Sequence, residues 1–222
     1  MPASLQYDPE RTALIIVDLQ PDFMPGGSLP IQEGDALVQP IRTLAERAPA
    51  GLCVATQDWH PPGHSSFASS HSDHDAGEVI SLHGHDQILW PDHCVQGTPG
   101  ARLHPDMDWR TAEAVIRKGT LVDSDSYSGF RNNWNADGER PRTGLEGYLR
   151  ERSVETVILC GLARDVCVKW TAEDAAEAGF RTFFLWDLTR AVDPAVDDDV
   201  RADLEGAGVE VVDSWKEAFP SS

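Results

Sequence analysis

The sequence is poor in basic residues and has no long apolar stretch. Its 222 residues include 18 Lys and Arg against 37 Asp and Glu, which gives a formal net charge of −19 at pH 7. Proteins that bind nucleic acid or anionic membranes concentrate Lys and Arg against phosphates, so this balance argues against both partners. The apolar runs reach about five residues, far short of the ~20 that a membrane helix needs. We therefore expect no nucleic-acid partner and no membrane-spanning segment.

Cysteine is also scarce, and the N-terminus has no leader signature. The segment MPASLQYDPER lacks a basic region followed by an apolar one, so it predicts no signal peptide and a cytoplasmic location. In a reducing compartment the four cysteines are expected to be free thiols. With 41% hydrophobic and 25% charged residues, the composition is typical of a globular protein that buries a substantial core.

Six short apolar runs, rich in β-branched and aromatic residues, have the composition of strands that are buried on both faces. They are residues 12–17, 52–56, 114–118, 156–160, 182–186 and 209–212. Stretches with the amphipathic spacing of helices lie between most of them, at residues 35–47, 142–152, 165–178 and 194–206. This alternation predicts an α/β fold, a doubly wound, mostly parallel sheet with helices on both faces.

The alternation is interrupted between residues 57 and 110, a stretch that carries all eight histidines. Because long connections inside a domain are usually functional, we interpret it as an insertion within one domain that spans residues 1–222. Four histidines lie among Ser, Asp and Gly and are predicted to be solvated, namely His71, His74, His83 and His85. His104, which precedes a proline, is predicted to be structural.

Chemically capable side chains stand at or just after the ends of four predicted strands. They are Asp18, Asp58, Lys118 and Cys167. One such residue alone is usually a turn residue, a helix cap or a solvated charge. Ligands bind beyond the carboxyl ends of strands in open parallel sheets, so the four together predict a site at one edge. Cys53 and Cys160 instead lie inside strands and are predicted to be small buried packing residues.

Cys167 has the local sequence of a nucleophilic thiol. If Asp165 caps the following helix, Cys167 lies in its first turn, where free N–H groups and the helix dipole lower the pKa of a thiol. The same N–H groups are able to hold an oxyanion. A thiol that attacks a carbonyl needs a base, and no histidine is near in sequence. The candidate base is therefore Asp18, with Lys118 placed to hold both charges.

The stretch DWHPPGH, followed much later by WPDHC, has the residues of a metal site. Asp58 and His60 are two residues apart after a strand, so both side chains can face one cavity, and the distant His93 would complete the set. Two histidines and one carboxylate leave coordination positions open, which is typical of catalytic metals. Zinc, iron and manganese all suit such a set, and we favour one zinc ion.

Several longer motifs occur in a characteristic order along the chain. They are IIVDLQPDFMPGGSL, TQDWHPPGHSSFAS, WPDHCVQGTPGA, IRKGT followed by DSYSGF, and GLARDVCV. Together they resemble the nicotinamidase (pyrazinamidase) branch of the isochorismatase-like cysteine hydrolases, from about residue 12 to about residue 212. The Asp, Lys and Cys are common to that superfamily, whereas the DWH and WPxHC motifs mark its metal-dependent nicotinamidases.

The resemblance implies a reaction and a role for each catalytic residue. It makes Cys167 the nucleophile, Asp18 the base that takes its proton, and Lys118 the third member of the triad. It also implies a cis peptide bond between Leu162 and Ala163, which turns the Ala163 N–H toward the substrate oxygen beside that of Cys167. The implied substrate is nicotinamide, hydrolysed through a thioester to nicotinate and ammonia, with pyrazinamide as a further substrate.

The resemblance also assigns residues around the substrate. The implied metal ligands are Asp58, His60 and His93, with His64 as a further ligand or a contact through water. Trp90 stands three residues before His93, which favours a place in the substrate pocket over the core. Phe23 and Tyr127 match pocket positions too, although their sequence surroundings fit core packing equally well.

Two other functions remain open at this point. One is a metal-independent hydrolase of the same superfamily that acts on isochorismate, a carbamoyl amine or a ureido acid. The other is a metal-binding module that keeps the fold without turnover. The metal-ligand set argues against the first and the intact triad against the second. The sequence also leaves open whether the chain forms a homo-oligomer.

Overall fold

The computed structural model describes residues 6–47 and 50–219. Residues 1–5 of the N-terminal segment MPASLQYDPER lie outside the described residues. The strands are β1 (Thr12–Val17), β2 (Leu52–Asp58), β3 (Val79–Leu82), β4 (His85–Ile88), β5 (Ala114–Lys118), β6 (Thr156–Leu162), β7 (Arg181–Arg190) and β8 (Glu210–Val212). Six of them form one sheet in the order β5-β2-β1-β6-β7-β8, and every pairing in it is parallel.

Helices cover both faces of this sheet. They are α1 (Val38–Glu46), α2 (Leu145–Glu151), α3 (Lys169–Glu177), α4 (Asp197–Gly206) and α5 (Trp215–Ala218). Leu14 and Ile16 of β1 belong to a core layer that includes apolar residues of α1 and α5. Ile15 and Val17 point the other way, into a layer with residues of α2, α3 and α4. Two apolar layers around one parallel sheet confirm the predicted doubly wound α/β fold.

The parallel pairing places the carboxyl ends of the central strands at one edge. β1 and β6 are buried along their whole lengths, as the continuous apolar runs predict. The chain leaves β1 at Asp18, whose φ of +46° turns the backbone out of the ladder. β2 continues to Asp58, which pairs with Lys118 at the end of β5. These ends form the floor of the candidate site.

All six predicted strands are present, whereas the predicted helices begin three or four residues too early. The residues before α1 and α4 form 3-10 turns, at Asp35–Leu37 and Pro194–Val196. Those before α3 form a π-helical turn, Arg164–Val168. Amphipathic spacing does not distinguish such turns from the first turn of an α-helix, which explains the difference.

The stretch from residue 57 to residue 110 contains an antiparallel hairpin, β3–β4, that the sequence did not predict. Its two-residue turn is formed by His83 and Gly84, both with positive φ, as a type I′ hairpin turn requires. His85 stacks on Trp134 with ring centroids 4.1 Å apart, which holds the hairpin against the rest of the chain. Within the described residues, no helix has the length and apolar character needed to cross a membrane.

Candidate active site

Lys118 lies at the centre of the residues that follow the strand ends. Its buried Nζ is 2.9 Å from Oδ2 of Asp18 and 3.1 Å from Oδ1 of Asp58. It donates to the carbonyl oxygen of Ser126 at 2.8 Å and to Sγ of Cys167 at 3.4 Å. Burial disfavours an ammonium, but the Asp18 and Asp58 carboxylates outweigh it and raise the pKa of Lys118 well above its ordinary value. One permanent cation therefore contacts two carboxylates and the thiol.

Asp18 is held so that one carboxylate oxygen remains directed at Lys118. Oγ1 of Thr56 donates to Oδ1 of Asp18 at 2.6 Å and accepts the Asp18 backbone N–H at 3.1 Å. Full burial raises the pKa of Asp18, and the neighbouring Lys118 ammonium only partly opposes this shift. A carboxylate with a raised pKa binds a proton more readily than an ordinary aspartate, which suits a general base.

Cys167 lies in the π-helical turn, at the end of β6, and its environment differs from the one expected. Burial raises the pKa of its thiol well above the ordinary value, against the lowering effect of Lys118. The predicted lowering by a helix terminus is therefore wrong in direction, because burial outweighs it. Because a thiol with a raised pKa keeps its proton, attack needs a base, and the candidate is Asp18, which shares the contact with Lys118.

The predicted cap at Asp165 is also wrong. No side-chain cap bond is present at the π-helical turn or at the start of α3. The Asp165 carboxylate instead accepts the backbone N–H groups of Val192 and Asp193, at 2.8 and 2.9 Å. It thus fastens the loop after β7, and Val192 of that loop lines the cavity in front of Cys167.

The predicted cis peptide bond between Leu162 and Ala163 is present. Ala163 and Cys167 both line the cavity that opens at the carboxyl edge of the sheet. The three aromatic candidates, Phe23, Trp90 and Tyr127, line the same cavity. Apolar and aromatic walls with a few polar groups are typical of a site for one small molecule. The structure therefore brings the nucleophile candidate, the oxyanion candidates and an aromatic wall to one cavity.

Two histidines and one carboxylate converge beside this cavity. Nε2 of His60 is 2.9 Å and Nε2 of His93 is 3.4 Å from Oδ2 of Asp58. Ligands that share a tetrahedral ion at ~2.1 Å lie about 3.4 Å apart, so these separations suit a bound metal. Asp58 and His93 also line the cavity that contains Cys167.

Hydrogen bonds at the far side of each ring fix which nitrogen faces Asp58. Nδ1 of His60 lies 3.1 Å from the carbonyl oxygen of Gly119, and Nδ1 of His93 lies 2.8 Å from that of Pro91. A carbonyl only accepts, so each Nδ1 donates and each neutral Nε2 presents a lone pair to the carboxylate. Lone pairs that converge on an anion need a proton or a metal ion between them. The residues present therefore fit a divalent metal ion.

The electrostatics of Asp58 and His60 agree with this need. Burial alone would raise the pKa of Asp58, but His60 and Lys118 hold it well below its usual range. Burial would also keep His60 neutral, yet the Asp58 carboxylate raises the pKa of this imidazole. Both shifts express the same demand for positive charge next to the carboxylate.

His64 lies beside this group without joining it. Its ring is 4.3 Å from that of His60, and it belongs to a second group of potential ligands, with His60 and Asp125. Burial, followed by the effect of His60, lowers the pKa of His64 to about 4. Its Nε2 has no hydrogen-bond partner among the residues that the structure describes. None of the four histidines predicted to be solvated belongs to either group.

Sequence reasoning missed several residues that support the cavity. Asp125 lines it, and Nε2 of Gln87 donates to Oδ2 of Asp125 and to the hydroxyl of Tyr127, at 2.8 and 2.9 Å. Nε1 of Trp90 donates to the same hydroxyl at 3.2 Å. Asp125 is the first residue of the DSYSGF motif, a signal that could have identified it. Gln87 lies on β4, where no local pattern marks it.

Comparisons with known proteins match this architecture. A family model described as Isochorismatase domain matches residues 12–215. The nicotinamidase of Acinetobacter baylyi is 45% identical over 185 residues, which are 82% of each chain. The PnC1 structure of L. infantum in complex with nicotinate is 39% identical, covers 95% of this chain and 96% of that one, and superposes with a TM-score of 0.82.

A further structure is similar in both fold and sequence, and it contains a metal. The pyrazinamidase of Pyrococcus horikoshii in complex with zinc is 34% identical and covers 91% of this chain and 98% of that one, with a TM-score of 0.73. The domain match, the identity to curated relatives and the parallel sheet with its strand-end site agree with one another. The chain belongs to the isochorismatase family, in which these similar relatives are nicotinamidases and pyrazinamidases.

Proposed function

We propose that this protein is a nicotinamidase that hydrolyses the carboxamide of nicotinamide to nicotinate and ammonia, and that it also accepts pyrazinamide. One observation carries the proposal. A single cavity is lined by a cysteine whose sulfur contacts a buried lysine, and by a carboxylate and an imidazole that fit a metal ion. The names of the relatives support the same substrate class.

In the proposed reaction, Asp18 takes the proton of the Cys167 thiol as Sγ attacks the carboxamide carbon. The carbonyl oxygen gains negative charge, which the backbone N–H groups of Ala163 and Cys167 stabilise. As the tetrahedral species collapses, the C–N bond breaks, Asp18 returns its proton to the leaving nitrogen, and ammonia departs. A thioester between Cys167 and the nicotinoyl group remains.

The second half of the reaction uses Asp18 in the same order, first as a base and then as an acid. Its carboxylate takes a proton from a water molecule, whose oxygen attacks the thioester carbon. The C–S bond breaks, the Cys167 sulfur recovers the proton from Asp18, and nicotinate leaves. Lys118 stays protonated throughout and contacts both groups, so it limits the cost of the negative charge that passes between them.

We propose Asp58, His60 and His93 as the ligands of one divalent metal ion, with His64 behind His60 as a further ligand or a contact through water. Bound there, the ion would supply a Lewis-acidic position for the ring nitrogen of the substrate. Zinc suits two histidines and one aspartate, as iron and manganese do.

The aromatic residues of the cavity are proposed to orient the ring. Phe23, Trp90 and Tyr127 give the cavity flat apolar walls, and the Tyr127 hydroxyl is fixed by Trp90 and Gln87. Holding the ring in one plane aims the carboxamide at Cys167, so that binding energy is converted into orientation.

Ammonia release from nicotinamide tests the proposal directly. Purified protein, the same protein stripped with EDTA, and stripped protein resupplied with zinc, iron or manganese are compared side by side. We expect activity in the first sample, loss in the second, and recovery with at least one metal. If EDTA-treated protein keeps its activity, the cysteine mechanism stands but no metal ion takes part in it. A folded, metal-loaded protein that releases no ammonia would refute the proposed substrate and favour another amide or a module without turnover.

A further inference from the structure

Gln20 is a fully buried polar residue in the segment that follows β1, and the proposed reaction gives it no task. The regular pairing of β1 with β2 ends at Ile16 and Ala55, and the turn at Asp18 takes the backbone of β1 away. β2 nevertheless runs on to Asp58, so its last residues need other partners on that side.

The side chain of Gln20 supplies these partners. Its Oε1 accepts the backbone N–H of Asp58 at 2.8 Å, and its Nε2 donates to the backbone carbonyl of Asp58 at 2.9 Å. Nε2 also donates to the carbonyl of Ala101 at 2.9 Å. The primary amide thus binds both polar groups of one residue, as a neighbouring strand would. On its other side Asp58 is paired with Lys118 of β5.

The two carboxylate oxygens of Asp58 contact different partners. Oδ1 contacts Lys118 at 3.1 Å, and Oδ2 faces the Nε2 atoms of His60 and His93. A rotation or shift of its backbone would move both oxygens together. Metal sites tolerate ligand displacements of only about 0.2 Å, so the backbone of this residue has to be fixed.

We propose that Gln20 is a positioning residue that fixes the backbone of Asp58 for metal binding. The inference rests on the metal site of the proposed function. Gln20 acts on metal affinity only through the position of Asp58 and contacts neither the metal nor the substrate. Outer residues that orient a ligand typically change metal affinity by about 10- to 100-fold when they are removed.

The neighbouring Gln57 provides a matched control. It has the same side chain, is nearly as buried, and its Nε2 donates to the same carbonyl of Ala101, at 2.8 Å. Its Oε1 accepts from Nε of Arg117 rather than from the backbone of Asp58. Gln57→Met therefore removes a buried amide and one bond to Ala101 but leaves the bonds between Gln20 and Asp58 in place.

The experiment measures the Kd of metal-free full-length protein for zinc, by competition with a chromophoric chelator, together with the unfolding midpoint without metal. Gln20→Met keeps the length of the side chain but makes no hydrogen bonds. We expect its Kd to rise about 10- to 100-fold, whereas Gln57→Met stays within about threefold of wild type. Both variants are expected to lower the unfolding midpoint, because Gln20→Met leaves the N–H and carbonyl of Asp58 without this partner and Gln57→Met loses the bonds to Ala101 and Arg117.

Gln20→Glu is the second variant, in case Gln20→Met does not fold. Its carboxylate still accepts the Asp58 N–H but presents an acceptor to two carbonyl oxygens, so zinc affinity is expected to fall as well. Unchanged zinc affinity in either folded Gln20 variant overturns the inference, and so does an equal loss in Gln57→Met. Wild-type protein that binds no zinc, iron or manganese overturns the metal site of the proposed function itself, which separates the two failures.

Discussion

Replacing Gly119 by alanine tests how closely the backbone packs against the metal-ligand candidates. Gly119 follows Lys118 and has a φ of +64°, and its carbonyl oxygen faces Nδ1 of His60. A Cβ at this position would lie 2.4 Å from Cε1 and 2.6 Å from Nδ1 of His60, and 3.0 Å from Oδ1 of Asp58. Ordinary contact begins at 3.4 Å, so the imidazole must move by 3.4 − 2.4, about 1.0 Å.

The expected size of the effect follows from this displacement. It is several times the ~0.2 Å that a metal-ligand distance tolerates, so we expect the zinc Kd to rise about 100-fold. A residue with a Cβ is strained in the left-handed backbone conformation of Gly119. We therefore expect the alanine to lower the unfolding free energy by a further ~1 to 2 kcal/mol. Loss of metal and loss of stability therefore have separate physical causes in this variant.

Gly63→Ala separates the two causes. Gly63 lies in the loop after β2 that carries His60 and has a φ of +73°, but a Cβ there would meet no atom of the described residues within 4 Å. We expect it to lose the same ~1 to 2 kcal/mol of stability and to keep its zinc affinity. The assay is chelator competition on metal-free protein, with denaturant unfolding of the same samples. Equal zinc affinities in Gly119→Ala and Gly63→Ala would show that the reasoning from the contact distances is wrong.

Three further substitutions test individual roles. Cys167→Ala should lower kcat for nicotinamide by about 10⁴-fold or more while zinc content and the unfolding midpoint persist; near-normal turnover would remove the thiol from the mechanism. His93→Ala should bring zinc stoichiometry well below one per chain and raise KM, and full stoichiometry by metal analysis would contradict its assignment as a ligand. Burial raises the pKa of Cys53 to about 12, so Cys53→Ser should leave kcat unchanged and lower the unfolding free energy by about 1 kcal/mol. A selective loss of turnover in stable Cys53→Ser protein would refute that prediction.

The sequence predicts strands correctly where burial on both faces makes them continuously apolar. The runs of β1 and β6 are of this kind, and their neighbours follow from the rules of parallel connection. β7 was predicted too short because it continues to Arg190 through Trp186 and Asp187, which are only half-buried. The hairpin β3–β4 has mostly exposed side chains, so it lacks the apolar alternation on which strand prediction depends.

The candidate site was readable where a residue type and its place after a strand coincide. Asp18, Lys118 and Cys167 are such residues, and the structure brings them into contact around one ammonium group. The direction of the Cys167 pKa was not readable, because it depends on the burial that packing produces. The partners of Asp165 were equally hidden, since they lie 27 and 28 residues further along the chain.

The short segment from Asp18 to Phe23 connects the two halves of the proposed chemistry. It begins with the base candidate, and its Gln20 holds the backbone of the carboxylate ligand. Oδ2 of Asp22 accepts the N–H of Cys94 at 2.7 Å, directly after the second histidine ligand. Phe23 then lines the cavity, with its ring 5.6 Å from that of the same histidine. This segment bonds to both loops that carry the proposed metal ligands, and it carries the base candidate. A displacement of the segment would therefore move these groups together, so their relative positions depend on the same few hydrogen bonds.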